Sequence, residues 1–335
     1  MGDIAQQFQL DCRGDADTDI TGIASLPDAR QGQLAFLFKS AYKPHLATTK
    51  ASAVVLRAED AKDCPLPYLI SDRPRLAWAT IASLFDPSPR TLPMIHPTAV
   101  IADSASIGKG VAIGAHTVIG SDVVVEDGAM IGPSCFVGDA SVVGSGTRLV
   151  AQVCLYHDVV LGSQCLVHAG AVIGADGFGF ELDPASGDYV KIPQVYGVRI
   201  GHGVEIGAGT TIDRGALNHT SLGDHCKLDN QVQIGHGTTV GEHTVISGCT
   251  AIAGSTVLGS YCLIGGGVGI IDNIEIADRV EVTAMKLVSR SISEPGRYSS
   301  GTGLMRGNAW KRSVVGFSRL DDMRKRLRKL EAGQK

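Results

Sequence analysis

The chain has 335 residues, a length that admits more than one core. Its formal net charge of −4 gives no case for nucleic acid as the main partner. Glycine is abundant at 42 residues and aromatics amount to only 5%, which disfavours a core of large side chains and predicts repeated tight turns.

The N-terminus, "MGDIAQQFQLDCRGD", lacks a basic segment followed by an apolar one, and no run approaches 18 apolar residues. The expectation is a cytoplasmic protein without a transmembrane segment. Gln6 stands where a myristoylation signal needs Ser or Thr. The eight cysteines form no C-x-x-C pair and are expected to be reduced thiols. Residues 1–93 mix short alternating runs, "ASAVVLRA" and "LPYLISD", with a predicted helix, "PRLAWATIASLF". This combination reads as a small α/β domain.

A six-residue repeat fills residues 94–290. Stepping by six from Ile95 to Ile173, every residue is Ile, Val or Leu; the register resumes at Ile200, Ile206 and Ile212 and, after a four-residue slip, runs from Leu222 to Val288. The fifth position is small or β-branched, as at Ala99, Thr117, Ala129, Thr210, Thr244 and Thr256, and glycine often holds the second. Inward first and fifth positions with a bend between them describe short strands that bury their apolar rows only by stacking coil on coil, a parallel β-helix. Three hexads make a triangular coil, so residues 18 apart stack at about 4.7–4.9 Å, and the repeat suffices for nearly ten coils. Spacing does not give the hand; the general rule for parallel crossovers predicts a right-handed turn.

Two interruptions break the register. Residues 174–199 should form an excursion from one edge, and residues 217–221 a shorter bulge. The Gly177-Phe-Gly-Phe180 segment of the excursion reads equally as a functional element or as loop packing. In the last segment, 291–335, an irregular connection, "ISEPGRYSSGTGL", precedes a predicted helix in which Leu320, Met323, Leu327 and Leu330 follow a 3-4-3 spacing suited to packing against a neighbour or another chain. Its Lys and Arg residues read as a solvated face or as a basic surface for an acidic protein partner.

Among the candidate chemical groups, Cys135, Cys165, Cys226 and Cys262 fall on inward fifth positions and read as small hydrophobes. His116, His225 and His243 hold fourth-position corners, and no histidine pair shows ligand spacing within a coil, so no metal is expected. Two copies of "IGHG" occur, with His202 and His236 at their centres. One coil beyond His236 stands Gly254, and before it lies the polar group Asp229, Asn230, Gln231 and Gln233. A corner histidine with a glycine stacked beside it suits a base next to an accessible backbone N–H. His202 is followed one coil on by Asp224, on a different face, and reads more easily as structural. The residues by themselves leave open whether His236 is catalytic.

Several segments, "GIASL", "AFLFKSAY", "IHPTAVI", "LYHDV", "GADGFGF", "TTIDRGAL", "LDNQVQIGH" and "SEPGRYSSG", resemble the UDP-3-O-(3-hydroxyacyl)glucosamine N-acyltransferases of bacterial lipid A synthesis over nearly the whole chain. That resemblance implies a mainly β fold: a left-handed parallel β-helix of hexapeptide repeats, a small N-terminal α/β domain that binds uridine, and a C-terminal helical tail. It implies that Phe36 and Tyr42 hold the uridine, although Lys39 replaces an asparagine usual between them. It further implies His236 as general base with Asp229 as its carboxylate neighbour, Asn230 and Gln233 near the nucleotide substrate, and the Gly254 N–H facing the oxyanion. Arg290 matches a position on the carrier-protein side, and Asn273 replaces a second histidine with a group that cannot titrate.

The implied reaction moves a 3-hydroxyacyl chain from the phosphopantetheine thioester of acyl carrier protein to the 2-amine of the UDP-acylglucosamine substrate, in a homotrimer and with no cofactor or metal. A neutral imidazole, with a reference pKa of about 6.5, suits the base role. Two alternatives stand beside it. One is an acetyl-CoA-dependent hexapeptide acyltransferase on another nucleotide sugar; the other is a β-helix scaffold without activity, against which the retained "DNQVQIGH" argues.

Overall fold

The computed structural model describes residues 1–87, 92–301 and 303–333. The chain divides into two units, Met1–Arg90 and Thr91–Lys335.

The first unit is built on a five-stranded sheet of β1 (Asp11–Arg13), β2 (Gly22–Ile23), β3 (Gln33–Phe36), β4 (Ala53–Leu56) and β5 (Tyr68–Ile70), in the order β1-β5-β4-β3-β2. Only β1 runs antiparallel to its neighbour. The central strand β4 is apolar and buried at every position because both faces are covered. Leu34, Phe36, Ala53 and Val55 face α1 (Gly2–Gln7) and α2 (Pro74–Ile81), while Ala35, Leu37, Val54 and Leu56 pack with Leu26, Ala29 and Leu46 on the other side. The segment expected to be one helix runs as α2 and then a 3-10 turn, Ala82–Phe85.

The second unit is a parallel β-helix. Its two-residue strands stack into sheets of nine, ten and ten strands, one per side of a triangular prism. We call these sides A, B and C, with Ser106–Ile107 on A, Ala112–Ile113 on B and Val118–Ile119 on C as the coil visits them in turn. Pairing joins residues 18 apart, as in Val124 with Val142, and the step becomes 39 across the excursion and 22 across the bulge. The interior is a single apolar column of first- and fifth-position side chains. Inward threonines are satisfied by a recurring pair of bonds: Thr244 donates to the Gly259 carbonyl at 2.8 Å and accepts from the Cys262 N–H at 3.0 Å. Cys135, Cys165, Cys226 and Cys262 are buried as expected, and burial pushes the Cys226 thiol up to about 11.

The excursion carries a hairpin, Phe180–Leu182 with Tyr189–Lys191. The connection after Val288 is more ordered than its sequence suggested. Gly296–Tyr298 adds a last parallel strand to side B, alongside Val280–Val282, because the final coil leaves an open edge of backbone donors and acceptors. The predicted helix is two, α3 (Gly307–Ser318) and α4 (Leu320–Ala332), broken at Arg319; Leu320, Met323, Leu327 and Leu330 are all exposed on it. Among the described residues no helix is long and apolar enough to cross a membrane.

Candidate active site

Successive coils place residues in columns along each corner of the prism. The corner that follows side C carries, at third positions, Arg214, His236, Gly254, Asp272 and Arg290 in stacking order, and a bulge after Ile173 brings Asp176 opposite Arg214 on the coil before. Register thus brings His236, Gly254 and Arg290 onto one corner, with Arg290 three coil steps beyond His236, about 14 Å along the axis. Asn273 is on the same corner in left-handed backbone conformation, its N–H donating to the Gly254 carbonyl at 3.2 Å and its amide to Asp272 at 2.7 Å.

The His236 ring is sandwiched between two glycines. A Cβ on Gly254 would stand 2.6 Å from Nε2, and a Cβ on Gly177 would stand 2.5 Å from the histidine Cβ. Gly254 therefore lies against the ring face at its Nε2 end, and any larger residue at either position would displace the ring. Elsewhere along the corners a third-position N–H is commonly capped by the side chain one coil on, as Ser260 is by Asp278 at 2.7 Å. Among the described residues the Gly254 N–H has no acceptor. It is a donor left open beside an imidazole nitrogen. The Gly177-Phe-Gly-Phe180 segment is part of this site through Gly177, while the Phe178 side chain is 87% exposed.

His202 is differently used. It lies on the corner after side A, where its Nδ1 accepts from the Ser163 N–H at 2.9 Å and its own N–H donates to Asp224 at 2.7 Å. The two "IGHG" copies differ in corner and in engagement.

Within one chain Asp229 does not stand beside His236. Asp229 and Asn230 occupy the corner after side B, because seven residues of chain exceed one side of the prism. There Asp229 accepts from the N–H groups of Gly248 at 2.9 Å and Asn230 at 2.8 Å, and Asn230 accepts from Ala208 at 2.7 Å. The carboxylate coupled to His236 is Asp213, on the coil before it. Burial pushes the Asp213 carboxyl up, opposed by a 2.9 Å hydrogen bond from Gln233 and by the charge of His236. Gln233 also accepts from the Thr211 hydroxyl, so it is clamped between two residues of the preceding strand. Below this group Arg214, only 2% exposed, donates to the His157 ring and to the Tyr196 carbonyl.

In the first unit, Phe36 and Tyr42 line one apolar pocket of about 540 Å³ together with Phe38, Trp78 and the Ile23–Pro27 turn. Phe36 and Phe38 stack nearly parallel with centroids 6.0 Å apart, and Trp78 tilts against Phe38 at 5.6 Å. Lys39 is exposed and lies outside that lining. Sequence reasoning missed Phe38 and Trp78, which come from separate elements. It also missed Asp213, although counting back 22 residues across the bulge places Arg214 under His236. Arg290 lines a cleft at the last coil with Lys286, Glu294 and Tyr298. Among the described residues no three His, Cys, Asp or Glu side chains converge as metal ligands.

The geometry can be set beside known proteins. Residues 17–84 match the family model described as UDP-3-O-(3-hydroxymyristoyl) glucosamine N-acyltransferase, LpxD, and residues 219–254 match that of the bacterial transferase hexapeptide, six repeats. A UDP-3-O-acylglucosamine N-acyltransferase of Pseudomonas syringae pv. tomato is 43% identical over 331 residues, 99% of this chain and 94% of its own length. The chain belongs to the UDP-3-O-acylglucosamine N-acyltransferase family.

A Coxiella burnetii member of that family, strain Dugway 5J108-111, is 42% identical over 99% of this chain and 96% of its own. Among solved structures, an Arabidopsis UDP-N-acetylglucosamine acyltransferase superposes with a TM-score of 0.54 at 22% identity, covering 69% of this chain and 80% of its own. The Moraxella catarrhalis UDP-N-acetylglucosamine O-acyltransferase, LpxA, gives 0.51 at 24%, covering 65% and 77%. This acyltransferase therefore has the left-handed parallel β-helix fold, an exception to the right-handed rule for parallel crossovers.

Proposed function

We propose that this acyltransferase moves a 3-hydroxyacyl chain from the phosphopantetheine thioester of acyl carrier protein to the 2-amine of UDP-3-O-(3-hydroxyacyl)glucosamine in the cytoplasm, with His236 as general base. The observation that carries the reading is the Nε2 end of the His236 ring held against Gly254, whose N–H is unclaimed among the described residues. As the amine nitrogen attacks the thioester carbonyl, Nε2 takes its proton and the Gly254 N–H donates to the developing oxyanion. The C–N bond forms, the C–S bond breaks, and the proton passes from His236 to the departing thiolate. No covalent enzyme intermediate, metal or cofactor enters the scheme.

The aromatic pocket of Phe36, Phe38, Tyr42 and Trp78 suits a stacked uracil. Lys39 replaces the amide expected beside it, so base recognition falls mainly to stacking. Gln233 serves the base through Asp213, and Asn273 offers the substrate or the acyl carbonyl a hydrogen bond without titrating. Arg290 attracts the phosphate or acidic surface of the carrier.

Asp229 and Asn230 sit one corner away from His236. A homotrimer gives them a role, because a neighbouring copy can present its side B corner to the His236 corner and form a cleft deep enough for an acyl chain. The exposed apolar residues of α4 suit the same assembly. The test is an assay of the full chain with UDP-3-O-acyl-glucosamine and a series of 3-hydroxyacyl carrier proteins, comparing wild type with His236→Ala and Asn273→His. Loss of at least 10²-fold in kcat for His236→Ala is expected for a general base; full retained rate would overturn the mechanism.

A further inference from the structure

Asp213 is the second residue of its hexad, on the strand Thr211–Arg214 that pairs in parallel with Gln233–Ile234. Thr211 stands opposite Gln233 and Ile212 opposite Ile234, so Asp213 comes abreast of Gly235, next to His236. Gln233 fixes one carboxylate oxygen: its amide Nε2 donates to Oδ2 at 2.9 Å, and its own carbonyl is held by the Thr211 hydroxyl. Among the described residues Oδ1 has no hydrogen-bond partner. Gly254 lies against the His236 ring face at Nε2, Cε1 and Cδ2, and Gly177 lies against Cβ, Cγ and Cδ2, so Gly254 supports the ring from its face and does not stand in the in-plane direction of either ring nitrogen.

We propose that Asp213, held by Gln233, is the positioning residue for His236: its Oδ1 accepts the Nδ1–H and thereby fixes the tautomer that leaves the Nε2 lone pair free for the substrate amine. Fixing the tautomer matters because an imidazole with its proton on Nε2 has no lone pair to offer the amine there. The Asp213 charge also stabilises the imidazolium formed as the proton is taken. This assignment rests on His236 being the base.

Other charged groups border the same corner. Arg214 lies in the coil before and is turned into the interior against His157; Asp272 is two coils after; the Asp176–Lys191 ion pair sits at the base of the excursion; His219 is on the bulge, ring to ring with Tyr196. Of the carboxylates among these, Asp176 is neutralised by Lys191 and Asp272 accepts from Asn273, so Asp213 is left as the anion for the ring.

The experiment compares wild type, Asp213→Asn, Gln233→Leu and His236→Ala as full-length proteins. Asp213→Asn is expected to lower kcat about 10²- to 10⁴-fold with little change in KM, as when an orienting carboxylate is removed from a histidine base. The acid limb of its pH–rate profile should move to lower pH, because the imidazolium loses its neighbouring anion. Gln233→Leu, which frees Oδ2 but keeps the carboxylate, should lower kcat less.

A readout independent of turnover is the nitrogen chemical shift of the His236 ring in the unliganded protein. In wild type the proton should sit on Nδ1; in Asp213→Asn the tautomers should mix and the titration midpoint should fall. If His236→Ala is inactive while Asp213→Asn keeps its rate, pH profile and ring tautomer, the positioning role is refuted and the base assignment survives. If His236→Ala keeps full rate, the base assignment fails first. A loss in Asp213→Asn that appears only in KM, with the tautomer unchanged, also overturns the proposal.

Discussion

Replacing Gly254 with alanine should disable catalysis while leaving the β-helix intact. The new Cβ would fall 2.6 Å from His236 Nε2, 2.7 Å from Cε1 and 2.9 Å from Cδ2, whereas ordinary contact begins at 3.4 Å. The ring must retreat by about 0.8 Å along that line, and a misplacement of about 1 Å can cost about 10²-fold in rate. This corresponds to about 2.7 kcal/mol of transition-state stabilisation. The backbone at Gly254 is not in the left-handed region, so alanine meets no conformational penalty there. Steady-state kcat/KM with saturating carrier substrate, measured beside the thermal midpoint, separates the two effects: the first should fall about 100-fold and the second stay within a few degrees. Gly235→Ala is the contrast, since its Cβ would strike the Gly254 backbone nitrogen at 2.6 Å and should cost stability as well. A Gly254→Ala protein with more than half of the wild-type kcat/KM would refute the claim that the ring is fixed against this glycine.

Further outcomes follow from the same structure. Thr244→Val leaves the Gly259 carbonyl and the Cys262 N–H unpaired in the interior, so unfolding should be easier by about 1–3 kcal/mol, readable in a denaturant titration. Because burial raises the Asp213 carboxyl, its contribution to stability is fully present below the unfolded carboxylate value of about 3.9 and is lost as pH rises through the higher folded value. Asp213→Asn should therefore melt higher than wild type at pH 7 and level with it near pH 3; a lower melting point at pH 7 would contradict this sign. Phe38→Ala and Trp78→Ala should each weaken uridine nucleotide binding about tenfold by calorimetry, the scale of about 1–1.5 kcal/mol for a lost aromatic contact. Brief thiol labelling at pH 8 should modify exposed Cys249 and spare Cys226, whose thiol stays protonated up to about 11; labelling of both at equal rates would argue against the burial of that row.

The hexad period by itself determined the prism, the inward rows and the number of coils, because a coil of fixed length repeats the same few turns and each residue's face follows from its count. The same arithmetic put His202 and His236 on different corners and Gly254 beside the second. The hand of the coil was outside its reach, since mirror-related coils share one spacing; likeness to the family supplied it. The resemblance joined Asp229 to His236 as neighbours, but within one chain the seven residues between them turn past a corner.

Only the tertiary structure decided what surrounds the imidazole. Asp213 reaches His236 across a 22-residue step lengthened by the bulge, Gly177 closes on the ring from an excursion with no repeat of its own, and Phe38 and Trp78 meet Phe36 and Tyr42 from separate elements of the first unit. Each depends on an insertion of irregular length or on a side-chain direction. Local periodicity carries no information about either, because their positions are set by what packs against them.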